Sequence, residues 1–74
     1  MTDIRFSLVI PCFNEEENVT ALYKAILTAL KRFRDFEIIF IDDGSKDGTM
    51  RVIRELRSRD QRIKYISFSR NFGH

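Results

Sequence analysis

Between Phe36 and Ile41 the chain reads Phe36-Glu37-Ile38-Ile39-Phe40-Ile41, with Glu37 the only polar residue, and the run stops on Asp42-Asp43-Gly44-Ser45. A short, nearly unbroken apolar run of aromatic and β-branched residues predicts a strand covered on both faces, as in a parallel sheet. The aspartates, glycine and serine mark a turn, and a helical pattern follows at once. The strand therefore delivers two carboxylates to its C-terminal edge. In open α/β sheets ligands bind at that edge, because strand ends and helix N-termini converge there on one crevice.

The flanking segments fit the same plan. Phe6-Ser7-Leu8-Val9-Ile10 predicts a buried first strand stopped by Pro11, which has no N–H for a central ladder. Pro11 to Asn18 then forms a loop and helix entry, with Glu15, Glu16 and Glu17 placed where a helix N-terminus favours negative charge. From Val19 to Phe33 the residues Val19, Leu22, Ile26, Ala29, Leu30 and Phe33 recur at three- and four-residue steps, which predicts one buried helical face, and Lys31, Arg32 and Arg34 close the helix. After a turn at Arg34-Asp35 and the strand described above, Ser45 or Asp47 caps a second helix that buries Thr49, Val52, Ile53 and Leu56 and exposes Arg51, Arg54, Glu55 and Arg57. A third strand is predicted over Ile63-Lys64-Tyr65-Ile66-Ser67-Phe68.

Strand, helix, strand, helix, strand with right-handed crossovers gives a three-stranded parallel βαβαβ unit of spatial order 3-2-1, both helices on one face. The opposite sheet face then lacks a covering layer, although the second strand is apolar on both sides. Either a partner covers it or the chain is the first part of a larger domain, and the isolated chain is expected to self-associate through that face.

At 74 residues the chain holds at most one domain, and a chain of this size buries only roughly 60% of the surface its unfolded form exposes. A net charge of +2 gives no general case for nucleic-acid binding, and the arginines from Arg51 to Arg62 read as a solvated face. A single cysteine, Cys12, excludes an intrachain disulfide, favours a reducing compartment, and reads as a small strand-end residue rather than a nucleophile. No apolar stretch approaches the roughly 18 residues of a membrane span, and the N-terminus has no signal-peptide pattern, so this piece is expected to be soluble.

Every chemically distinctive stretch falls just after a strand: Pro11 to Glu15, Asp42 to Ser45, and Arg70 to His74. Together they predict a nucleotide pocket, in which a carboxylate accepts from a base N–H or a ribose hydroxyl and backbone donors near helix N-termini meet anionic groups. Taken singly, each stretch also has a structural reading: a turn with a cap, first-turn charge, a polar turn. Pro11-Cys12-Phe13-Asn14-Glu15-Glu16 stands where a dinucleotide-binding unit would carry Gly-x-Gly-x-x-Gly, and no Gly-x-x-x-x-Gly-Lys-Ser/Thr is present. Both of those nucleotide folds are excluded.

Ser7 to Asn18, Phe36 to Thr49 with Asp42-Asp43-Gly44-Ser45-Lys46-Asp47-Gly48-Thr49, and Ser69-Arg70-Asn71-Phe72-Gly73 resemble, in order and spacing, the N-terminus of family-2 glycosyltransferases. Within the family the chain is most similar to the polyprenyl-phosphate branch: dolichol-phosphate mannosyltransferases and the bacterial undecaprenyl-phosphate glucosyl- and aminoarabinosyl-transferases. The resemblance implies that residues 1–74 are the nucleotide-binding half of a Rossmann-like GT-A domain. It places Pro11, Phe13 and Glu15 in the base and ribose pocket, Asp43 on the base N–H, Asp42 in support of that loop, and Arg70 near the donor's ribose or phosphates.

The resemblance implies a UDP- or GDP-linked sugar donor and a polyprenyl phosphate acceptor for the complete enzyme, acting at the cytoplasmic side of the membrane. It also implies Mg²⁺ or Mn²⁺ on the diphosphate, held by an Asp-x-Asp motif that this sequence does not contain, and a catalytic carboxylate that likewise lies beyond it. The expectation is thus an N-terminal portion with no catalytic or metal-binding residue of its own, inactive alone. The competing expectation is a non-catalytic α/β module that associates through its uncovered sheet.

Overall fold

The computed structural model describes residues 6–33 and 35–68. Its elements run β1 (Phe6–Cys12), α1 (Val19–Ala29), β2 (Phe36–Asp42), α2 (Thr49–Arg59) and β3 (Ile63–Ser67). The strands form one parallel sheet in the order β1-β2-β3, with β2 central. This is the expected βαβαβ unit, the N-terminal half of a Rossmann-like GT-A domain.

Alternation along β2 sorts its side chains between two environments. Phe36, Ile38, Phe40 and Asp42 are buried beneath the helices, while Glu37, Ile39 and Ile41 are half-buried on the other face. Val19 and Ile26 of α1, Ile53 and Leu56 of α2, and Ile63 of β3 share one core with Phe36, Ile38 and Phe40. Each fully buried Phe or Ile contributes about 1.5–3 kcal/mol through burial, which makes the β2–helix layer the source of cohesion. On the far face Val9 and Ile66 are 56% and 48% exposed, so the described residues leave that side of the sheet without a covering layer, as the topology predicts.

Several local expectations change, among them the burial of Ala29, which is exposed. β1 continues through Pro11 to Cys12, because the Cys12 carbonyl accepts the Asp43 N–H at 3.1 Å and alternation turns the Pro11 nitrogen toward the outer edge. α1 ends at Ala29 rather than Phe33, with no basic residue in its last turn; the chain instead makes a tight turn closed by Phe33 N–H to the Leu30 carbonyl, which sets Phe33 edge-on to Phe6 at 5.7 Å. Leu22 is 40% exposed rather than buried, since α1 covers an outer strand and Leu22 lines a cavity of about 160 Å³ with Ile10, Val19 and Phe40.

Glu16 and Glu17 precede α1 in a turn, so its first helical turn carries no acidic residue. α2 follows the predicted pattern closely, burying Thr49, Ile53 and Leu56 and exposing its arginines. Among the described residues no helix is long and apolar enough to cross a membrane.

At the N-terminal end of the sheet the Phe6 and Phe36 rings stack at 6.0 Å, and the Arg62 guanidinium lies 4.6 Å over the Phe36 ring. Asp60 holds Arg62 there through two side-chain bonds and also accepts the Tyr23 hydroxyl at 2.7 Å, tying α1 to the α2–β3 turn.

Candidate functional site

Parallel register brings Cys12, Asp42 and Ser67 to one level at the C-terminal edge. Just beyond it, the loop after β1 and the loop after β2 lie side by side. Between them opens a crevice of about 250 Å³ lined by Pro11, Cys12, Phe13, Glu15 and Asp43. Four of the expected site residues, Pro11, Phe13, Glu15 and Asp43, thus share one cavity.

Asp42 is placed differently. It is only 2% exposed, at the end of the buried face of β2, and its two carboxylate oxygens accept the Ser45 N–H at 3.3 Å each, with the Ser67 hydroxyl at 3.4 Å. Such a carboxylate fixes a turn. Gly44 completes that turn at φ 81°, in the left-handed region that a side chain would strain. Arg70 lies outside the described residues.

Phe13 is 52% exposed and presents an apolar ring to the crevice mouth. An aromatic ring beside a carboxylate suits a flat heterocycle that offers an N–H. Glu15 accepts Asn18 Nδ2 at 3.0 Å, and its carbonyl accepts the N–H groups of Asn18 and Val19 at the entry to α1.

Burial pushes the Cys12 thiol up to about 11, with the negative charges of Asp42, Glu15 and Asp47 adding to the effect, and its Sγ donates to the Ile41 carbonyl at 3.6 Å. A thiol in that state is no nucleophile at neutral pH. It is a packing residue, as its place at a strand end suggests.

The N-terminus of α2 departs from the expected anion site. The Gly48 N–H donates to Glu16 Oε1 at 3.0 Å, and the Thr49 N–H to Asp47 Oδ1 at 3.0 Å. Neither Ser45 nor Asp47 is the N-cap, which is Gly48 with no side-chain cap bond; Asp47, one residue earlier, accepts the Thr49 N–H, and Ser45 accepts the Asn14 N–H at 2.8 Å. The Thr49 hydroxyl also donates to Asp47, and that bond holds the Asp47 carboxyl below its usual range. Carboxylates thus occupy the Gly48 and Thr49 amides at the start of α2.

Among the described residues no group of three or more histidine, cysteine, aspartate or glutamate side chains is gathered to hold a metal ion.

Sequence reasoning missed the bonds between the two loops and the Tyr23–Asp60–Arg62 cluster. Asn14 carried one usable signal, since asparagine enters the left-handed region more readily than most residues, and it stands there at φ 54°. The bonds between the loops and the Tyr23–Asp60 bond join residues more than 30 positions apart, and periodicity is blind to them.

The chain is 46% identical over 68 residues to CsbB of Bacillus subtilis (strain 168), a protein with a glycosyltransferase name, covering 90% of this chain and 21% of that one. It is 44% identical over 72 residues to the bactoprenol glucosyl transferase of Shigella phage SfV, covering 95% of this chain and 23% of that one. The same figures hold for a prophage bactoprenol glucosyl transferase homolog of Escherichia coli (strain K12). The chain thus spans between a fifth and a quarter of the length of these relatives. The profile described as glycosyl transferase family 2 matches residues 7–74, nearly the whole sequence, and the chain belongs to that family.

Proposed function

We propose that this chain forms the nucleotide-binding part of an inverting transferase that moves a sugar from a UDP- or GDP-linked donor to a polyprenyl phosphate. The observation that carries the reading is the crevice in which Phe13 and Asp43 stand together at the C-terminal edge of a parallel sheet. The base lies against Phe13 and Pro11, and Asp43 accepts a base N–H. That charge-assisted hydrogen bond contributes about 1.5–3 kcal/mol. Glu15 faces the ribose hydroxyls, and Asp42 keeps the Asp43 loop in place from below. Arg70 belongs near the ribose or phosphates.

The polyprenyl acceptor is supported by the names of the bactoprenol glucosyl transferases, which the chain matches over 95% of its own length. In the whole protein an oxygen of the lipid phosphate attacks the anomeric carbon, the bond from that carbon to the nucleotide diphosphate breaks, and the diphosphate leaves with the bonding pair. Mg²⁺ or Mn²⁺, when bound, would neutralise charge on that leaving group. The residues described here contribute binding and orientation, and the chain by itself is expected to transfer no sugar.

Calorimetric titration with UDP-glucose, GDP-mannose and the free nucleotides, with and without Mn²⁺, tests the reading. One nucleotide binds selectively, and Asp43→Asn weakens it about 10- to 100-fold while the melting temperature is retained. Absence of binding to the folded chain, or an Asp43→Asn effect confined to stability, would refute it and leave an associating module as the better account.

A further inference from the structure

We infer that Asn14 and Glu16 are positioning residues that weld the loop after β1 to the loop after β2, so that the crevice stands assembled before any ligand arrives. The observation is an alternating series of bonds across the gap. The successive N–H groups of Asn14, Glu15 and Glu16 donate to Ser45 Oγ at 2.8 Å, Thr49 Oγ1 at 2.8 Å and Asp47 Oδ2 at 3.2 Å. In return the N–H groups of Lys46 and Gly48 donate to Asn14 Oδ1 at 2.9 Å and Glu16 Oε1 at 3.0 Å. Each loop thus uses side chains to satisfy the backbone of the other.

The conformations follow from the bonds. Asn14 takes φ 54°, with its own N–H donating to Ser45 and its side-chain oxygen accepting from the next residue, Lys46. Gly48 leaves room for Glu16: a Cβ there would stand 2.7 Å from Oε2. Arg51 then closes on that oxygen at 3.1 Å.

Between them the two loops carry the residues assigned to the ligand, Phe13 and Glu15 on one and Asp43 on the other. A free loop would have to lose backbone entropy on binding, and the weld removes that cost in advance. This role rests on the nucleotide reading above, since a preformed crevice matters only if something binds in it. The weld itself exists without ligand and is testable without one.

Amide exchange by NMR, on the full chain without ligand, compares wild type with Asn14→Gly, Asn14→Asp and Ser45→Ala. Glycine tolerates the left-handed backbone and removes the side-chain acceptor; aspartate keeps the acceptor; Ser45→Ala removes the acceptor of the Asn14 N–H from the opposite loop and leaves the Asn14 side chain in place. Exchange is expected to rise about tenfold at Glu16 and Gly48, which do not touch Asn14, in Asn14→Gly and Ser45→Ala, and to return toward wild type in Asn14→Asp. A rise confined to Lys46 in Asn14→Gly, and to Asn14 in Ser45→Ala, would overturn the proposal.

With nucleotide present, Asn14→Gly raises the dissociation constant about tenfold, and Asp43→Asn then costs less than it does in the wild type, because its partner loop is already loose. Strict additivity of the two substitutions would also overturn it. If the wild type binds no nucleotide, the functional reading fails and the exchange pattern alone decides the weld.

Discussion

Acid should weaken this fold through Asp60, and the effect is separable from every other carboxylate. Asp60 Oδ1 accepts Arg62 N and Nε at 3.0 Å each, while Oδ2 accepts Arg62 Nη2 at 2.9 Å and the Tyr23 hydroxyl at 2.7 Å. Arg62 above all, aided by Tyr23, lowers the carboxyl from its usual 3.8 to about 2 against the opposing effect of burial. A folded value below the unfolded one means that the stabilisation is fully present above the unfolded value and is lost as pH falls through the folded one. Linkage sets a ceiling of about 2 kcal/mol, and because the Arg62 side chain is 39% exposed, solvent screening reduces the expected contribution to about 1 kcal/mol.

The perturbation is Asp60→Asn, and the assay is urea denaturation followed by circular dichroism at steps from pH 6 to pH 2 in low salt. The wild type should be more stable by about 1 kcal/mol at pH 6, with the difference narrowing between about pH 4 and pH 2. Glu37, lowered by its bonds to Lys64 and Ser7, and Asp47 titrate in both proteins, so their contributions cancel in the difference. A gap that stays constant across the whole range would show that the Arg62 fork does not govern Asp60, and the reasoning would fail.

Cys12 should react with iodoacetamide at pH 7.5 about 100-fold more slowly in the native chain than in urea, since its thiol is raised from 9.0 to about 11; equal rates by mass spectrometry would contradict the buried placement. The uncovered sheet face predicts self-association and dye binding by the isolated chain, both reduced by Val9→Lys with Ile66→Lys, two exposed positions where substitution should alter stability by no more than about 0.5 kcal/mol each. A wild-type chain that sediments as a monomer and binds no dye would refute this.

The layer structure was legible because it depends on local pattern. Phe36 to Ile41 announces a central strand, Val52, Ile53 and Leu56 mark the inner side of α2, and turn chemistry places Gly44. Legibility stopped where tertiary contacts override that pattern. Phe33 leaves the helical series to meet Phe6, and Glu16 serves the N-terminus of α2 although its sequence neighbours point to α1. Following strand ends to one edge reaches the stretches Pro11 to Glu15 and Asp42 to Ser45; the resemblance singles out Pro11, Phe13, Glu15 and Asp43 within them, and these four line one crevice. The bonds that hold those ends together were hidden, because side chain to backbone pairing across about 30 positions leaves no periodic trace.

Pro11 has a further consequence for how the sheet can grow. A strand laid along the outer side of β1 would find outward-facing donors at Ser7 and Val9, but at Pro11 only a carbonyl, because the ring replaces the N–H. Pairing on that side must thin out one residue before the sheet's end. Pairing along that edge therefore lacks one donor at the level of the crevice.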